Sequence, residues 1–293
     1  MRNLLLQLDS SRLASVFDEV VAHDAGVDAV MARGGVTEAD VRDLIYGCIF
    51  TRGPKDLKHT AAFIGGTDMA LGEQLLAAAQ QAFFGPFRIS VLLDSNGSNT
   101  TAVAAVAKMR HAAGEVRGQK AVVISGTGPV GRRAAGLLAR AGANVVLTSR
   151  KAESGEAASR AVAARFGGQV SATVMAGPAD AARVLEGAAL VFNAGAAGVQ
   201  MVPMAAWTGH GSLRVLADVN AVPPLGIEGI KETDDGATYE GVRAFGALAI
   251  GGLKMKLHKA CIVRMFERND LVFDVETIAD LAQDLIAGKP ENR

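Results

Sequence analysis

Aromatic residues are scarce in this chain: they make up 5% of 293 residues, with one tryptophan and two tyrosines. The core must therefore be built mainly from Ala, Val, Leu and Ile. Cysteine is rarer still. Only Cys48 and Cys261 occur, far apart and outside C-x-x-C or metal-finger spacing. A disulfide framework is excluded, and two buried thiols in a reducing compartment is the simpler reading. Net charge is lacking too, with 30 basic residues against 30 acidic ones and no polybasic run. Nucleic acid and anionic membranes are therefore not expected as partners, although a small anionic ligand needs only a local positive patch. No apolar run approaches membrane-spanning length, and Leu4–Leu8 reads as a first strand, not a signal peptide. The five histidines are scattered, so no metal site is expected. These absences describe a cytoplasmic protein.

What is present is a turn-rich, compact composition: 49% hydrophobic, 20% charged and 34 glycines. The length fits two α/β domains. Strand-like Leu4–Leu8, Ala29–Ala32, Ala61–Ile64 and Ile89–Leu93 alternate with helix-like Val16–Ala25, a segment opened by Thr37 and Asp40 in capping-box spacing, Met69–Phe83 and Thr101–Ala112. Polar, glycine-containing Gly114–Lys120 reads as a boundary. Strands near Val145, Val170, Leu190 and Val215 follow, with helices at Val130–Arg140, Ala157–Phe166 and Ala179–Leu185. After Asn220 the chain reads as loop, and from about Ile250 as helix, with Lys254–Phe266 and Val275–Ala287. The expected fold class is thus α/β with two α/β domains. The second is a Rossmann-type doubly wound parallel sheet, and a C-terminal helical segment packs back on the first and closes a cleft. The expected spans are 1–116, 117–248 and 249–293.

The most informative stretch is Ala121-Val-Val-Ile-Ser-Gly-Thr-Gly-Pro-Val-Gly131, leading into Arg132–Arg140. A β-branched strand ends at Ser125, Gly126, Gly128 and Gly131 take the G-x-G-x-x-G spacing, and an amphipathic helix opens at once. A pyrophosphate needs this order, with Thr127, Pro129 and Val130 completing the turn. The same glycines also serve a plain tight turn. About twenty residues on, where an acidic residue would bind the ribose 2′-hydroxyl of NAD, stand Thr148-Ser149-Arg150-Lys151. Hydroxyls and cations suit a 2′-phosphate, so Ser149, Arg150 and Lys151 favour NADP. Their other reading is a solvated helix start.

Other loops fall at strand carboxyl ends, where parallel sheets bind ligands. Asp94-Ser-Asn-Gly-Ser-Asn-Thr-Thr101 is either a helix cap or a ligand loop, with Asp94, Ser95, Asn96, Asn99 and Thr100 as candidate substrate contacts. Ala194 and Gly195, in Asn193-Ala-Gly-Ala-Ala-Gly198, let backbone approach the nicotinamide ribose. Asn220 either fixes the nicotinamide amide or caps its loop. In Gly251-Gly-Leu-Lys-Met-Lys-Leu-His258, two lysines sit among apolar residues, an unfavourable place for charge unless a head group reaches a cleft. On a helix Lys254 and His258 share a face and Lys256 points elsewhere, so geometry alone leaves both lysines open.

Several blocks together carry a resemblance: Tyr46, Phe50-Thr-Arg-Gly53, Phe84-Gly-Pro-Phe-Arg88, Asp94–Thr101, Gly126–Val130, Asn220-Ala-Val-Pro-Pro-Leu-Gly226 and Phe245–His258. Along nearly its whole length the chain resembles the methylene-tetrahydromethanopterin/methylene-tetrahydrofolate dehydrogenases of methylotrophic bacteria. The resemblance implies NADP-linked oxidation of a methylene-pterin in one-carbon metabolism and a homo-oligomer, a trimer. It also implies that Lys256 is the functional lysine. Such a reaction suits the residue set, since hydride loss leaves an amidinium-stabilised cation and needs no strong general base. Two other readings stand beside it. A shikimate-type dehydrogenase would require a Lys–Asp pair, for which Lys55-Asp56 and Lys58 are candidates. A non-catalytic NADP-sensing protein would bind cofactor without turnover.

Overall fold

A computed structural model describes residues 1–286. In chain order the elements are β1 (Leu4–Asp9), α1 (Val16–Asp24), β2 (Ala29–Arg33), α2 (Glu38–Ile49), β3 (Thr60–Gly65), α3 (Met69–Gln81), β4 (Ser90–Leu93) and α4 (Ser98–Ala113). They continue with β5 (Lys120–Ile124), α5 (Pro129–Arg140), β6 (Asn144–Ser149), α6 (Ala152–Phe166), β7 (Gln169–Val174), α7 (Ala181–Leu185), β8 (Ala188–Asn193) and β9 (Val215–Asp218). The last are β10 (Asp235–Tyr239), β11 (Val242–Phe245), α8 (Ala247–Arg264), β12 (Val272–Phe273) and α9 (Val275–Ile286). Two compact units result. One holds Met1–Thr100 and Met255–Leu281, the other Thr101–Lys254 and the chain from Ala282. The divisions fall inside α4, α8 and α9, not in the Gly114–Lys120 loop.

The first unit is a parallel five-stranded sheet in the order β12-β4-β3-β1-β2. Its central strands β1, β3 and β4 bury both faces, so helices cover the sheet on each side. Leu6 and Leu8 pack with Val41, Ile45 and Leu75 from α2 and α3. On the other face Phe63 stacks on His258 of α8 with ring centroids 5.4 Å apart. Each fully buried Leu or Ile is worth roughly 1.5–3 kcal/mol. Polar residues fix where helices start. The Asp40 carboxylate accepts from the Thr37 amide at 2.9 Å and the Thr37 hydroxyl at 2.7 Å, which holds its pKa below the usual range. Asp68 accepts from Ala70 N and Leu71 N at the head of α3. The two-residue β12 pairs Val272 with Val91 and completes this sheet. A strand that short has no legible period, so the sequence does not announce it.

The second unit is a seven-stranded sheet in the order β10-β11-β9-β8-β5-β6-β7. All its pairings are parallel except that between β10 and β11. From β7 to β11 this is the doubly wound dinucleotide-binding order, with the switch point between β5 and β8. The stretch after Asn220, read from sequence as loop, holds the antiparallel hairpin β10–β11. Glu240 and Gly241 form its turn with φ +48° and +86°. Two left-handed residues make a hairpin turn, and Glu is not a residue that signals one. Among the described residues no helix is long and apolar enough to cross a membrane.

Candidate functional site

At the carboxyl end of β5 the backbone turns at Ser125, whose φ is +54°. Ser125 N donates to the Thr148 hydroxyl at 2.9 Å and Gly126 N to the Thr148 carbonyl at 3.0 Å, so the turn is tied to β6. The three glycines have separate reasons. A Cβ on Gly126 would press on Leu147, and one on Gly131 would lie 2.7 Å from the Gly126 Cα. Those two are demanded by helix–strand packing. Gly128 differs, because a Cβ there would meet no protein atom within 4 Å, and its φ of −75° suits any residue. Packing among the described residues does not require glycine at that point, and the space beside it is open. Gly128 caps α5 and Pro129 is its first residue, with no acidic side chain in the first turn. First-turn amides and the helix dipole therefore face the opening with positive character.

A cavity of about 1100 Å³ lies over this turn. Its rim is Ser125, Thr127 and Gly128 from the first turn, Thr148, Ser149, Arg150 and Lys151 after β6, and Ser154 at the head of α6. The segment 175–178 and residues Ala196, Val199, Gln200 and Met201 close the remaining sides. Arg150 and Lys151 are exposed, Thr148 and Ser149 are buried, and none of the described lining residues is a carboxylate. Glu153, close by in sequence, is not among the lining residues. Hydroxyls, two cations and open helix amides fit the anionic groups of a dinucleotide bearing a 2′-phosphate. Ser125, Ser154 and Gln200 also line the cavity: Ser125 directly precedes the first glycine, Ser154 sits in the first turn of α6, and Gln200 lies on a loop with no fixed spacing to the glycines.

Of the other expected cofactor residues, Gly126, Pro129, Val130 and Gly131 form the turn and helix head behind the lining. Ala194 and Gly195 follow β8, where Gly195 N donates to the Asn193 side chain at 3.2 Å. The Asn220 side chain is engaged within its own loops: its carbonyl accepts from Val222 N at 2.9 Å and Gly198 N at 3.3 Å, and its amide donates to Pro224 O at 3.2 Å.

In the first unit, the Asp94–Thr100 segment turns its polar atoms on itself. The Asp94 carboxylate accepts from Asn99 N at 2.9 Å, Thr100 N at 3.0 Å and the Thr100 hydroxyl at 2.6 Å. The Asn99 amide donates to Leu93 O at 2.6 Å, and the Ser95 hydroxyl to Gly65 O at 2.8 Å. Asp94, Ser95, Asn99 and Thr100 are buried, whereas Asn96 is exposed with φ +55°. On α8, Lys256 is exposed, Lys254 half-buried and His258 buried. Lys55, Asp56 and Lys58 lie in the exposed chain leading into the amino end of β3. That end is opposite to the one where parallel sheets bind ligands.

A family model described as "Methylene-tetrahydromethanopterin dehydrogenase, N-terminal" matches residues 16–96. The chain is 51% identical to Bifunctional protein MdtA of Methylorubrum extorquens, over 97% of this chain and 99% of that one. It is 32% identical to the NAD(P)-dependent methylenetetrahydromethanopterin dehydrogenase of the same organism, over the same shares. A solved shikimate 5-dehydrogenase from Listeria monocytogenes shares the fold at 12% identity, with a TM-score of 0.52 and 96% of each chain covered. Identity of this extent along the full length, joined to a dinucleotide-type cavity, settles descent: the chain belongs to the methylene-tetrahydromethanopterin dehydrogenase family.

Proposed function

We propose that the protein oxidises the C1 methylene of methylene-tetrahydromethanopterin, and of methylene-tetrahydrofolate, to the methenyl form with NADP. The observation that carries this is the hydroxyl-and-cation rim Thr148–Lys151, free of carboxylate, on the cavity of a chain in this family. NADP, when bound, supplies a hydride acceptor. Gly126–Gly131 and the head of α5 would hold its pyrophosphate, Ser149, Arg150 and Lys151 its 2′-phosphate, and Ala194 and Gly195 its ribose.

The first unit is the pterin side. The methylene hydrogen would leave with both C–H bonding electrons, as a hydride to the nicotinamide, and the positive charge left on carbon spreads over the two flanking pterin nitrogens. No proton leaves carbon, so the chain needs no general base, and orientation is its main contribution, worth several kcal/mol. An ammonium beside the developing cation would oppose reaction. Lys256 therefore donates a hydrogen bond to the pterin carbonyl and holds the ring, while Asp94 sets the loop that presents Asn96. The active form is a homo-oligomer, a trimer, by analogy with the family.

Absorbance of NADPH at equal concentrations of the two methylene-pterins, with NADP or NAD, tests the reading. Turnover of the methanopterin substrate with NADP is expected, and faster than with NAD. No NADPH from either pterin would overturn the enzyme reading, and a protein that binds NADP without turnover would be a sensor.

A further inference from the structure

The sheet order places β6, with Ser149 at its end, on one side of β5, and β8 and β9 on the other. In a doubly wound sheet the two mononucleotide halves of a cofactor divide across that switch point. Beyond β8 and β9, then, lies the place for the nicotinamide half. There Asn193 and Asp218, the last residues of their strands, sit opposite each other in register. Both are buried, as is Asn220.

Asp218 joins the loops leaving these strands. One carboxylate oxygen accepts from the Asn193 amide at 2.8 Å and from Asn220 N at 2.9 Å, and the other accepts from Ile227 N at 2.8 Å. Through Asn193 the clip reaches Gly195 N, and through Asn220 it reaches Gly198 N and Val222 N. The 194–201 segment so anchored carries Ala196, Val199, Gln200 and Met201 on the cavity wall. The clip has no slack, because a Cβ on Gly226 would overlap the Asn193 amide. Burial pushes the Asp218 pKa up, while these donors act against that rise. Burying a carboxylate is costly, and a strand end that needed only a turn would do without one.

We propose that Asp218 is a positioning residue for the nicotinamide half of the cofactor, fixing the loops after β8 and β9 as one unit. This rests on the NADP reading above, and it separates two tasks: Arg150 and Lys151 hold the phosphorylated half, and Asp218 shapes the place of the other.

Calorimetry with two ligands tests it. NADPH spans both halves, and 2′,5′-ADP occupies only the phosphorylated one. In Asp218→Asn the amide presents a donor where only acceptors fit. Its NADPH Kd is expected to rise about tenfold, the effect of losing one hydrogen bond to a charged group, with 2′,5′-ADP affinity held within about twofold. Asn220→Ala should show a smaller loss of the same kind, and Asn220→Ser, which keeps an uncharged acceptor for Val222 N, should recover part of it. Equal loss of both ligands would make Asp218 mere fold support and overturn the role, as would no loss of either. If Asp218→Asn does not fold, the Asn220 pair decides: unchanged NADPH binding in Asn220→Ala overturns the proposal. A parent protein that binds neither ligand would instead sink the NADP reading itself.

Discussion

Two polar loops at the carboxyl ends of parallel strands behave in opposite ways. Asp94–Thr100 turns inward, its carboxylate accepting from Asn99 and Thr100 and its Ser95 and Asn99 side chains bonded to backbone, with Asn96 left exposed. Thr148–Lys151 spends its threonine on the neighbouring turn and leaves Arg150 and Lys151 exposed on a cavity wall. The difference follows from what comes next in the chain. Asp94 heads α4, where first-turn helix amides lie five and six residues on and a buried acceptor meets them at once. Arg150 and Lys151 carry only donors, which cannot cap helix amides, and they stay exposed beside the cavity. A polar loop rich in acceptors is therefore first a structural device.

The largest effect that would break this contrast lies in the closed loop. Asp94→Ala strands three donors in a buried place and should cost about 3 kcal/mol in chemical denaturation, while Asn96→Ala should leave stability within about 0.5 kcal/mol. Equal effects from both would mean that the loop is not held by its carboxylate. Next comes the exposed lysine of α8. Lys256→Ala is expected to lower kcat/KM for the pterin by about a hundredfold with NADP affinity kept, a misplacement effect, and near-normal turnover would remove its positioning role. On the open rim, Arg150→Ala should weaken NADP about tenfold and leave NAD nearly unchanged, since only the former offers a 2′-phosphate. Parallel losses for both cofactors would place the phosphate elsewhere.

The smallest effect sharpens the comparison without touching activity, because both cysteines belong to the closed unit. Burial pushes the Cys48 thiol up to about 11, and burial followed by the nearby Asp94 charge pushes Cys261 up as well. At pH 8 the native protein should then react with a thiol reagent far more slowly than the unfolded chain. Because the folded thiol ionises less readily, its share of stability is complete below pH 9 and is lost as pH rises toward about 11. Fast reaction of the native protein at pH 8 would show that the interior of the first unit is open.

Much of this molecule is legible in one dimension. The strand–turn–helix around Gly126–Gly131, the capping box at Thr37 and the cations after β6 follow from local rules of spacing, dipole and donor chemistry, and they identify a dinucleotide fold before any packing is known. Long contiguous blocks such as Phe245–His258 carry the family. The hairpin β10–β11 and the two-residue β12 do not show, because each is held by the edge strand it joins and not by its own pattern. Nor does the sequence say that Asn220 faces its own loop, that Asp218 ties β8 to β9, or that Gly128 faces empty space while Gly131 faces Gly126. Those facts depend on which atoms meet across residues far apart in the chain. Only folding decides whether a polar group spends its hydrogen bonds inside the protein or keeps them for a ligand.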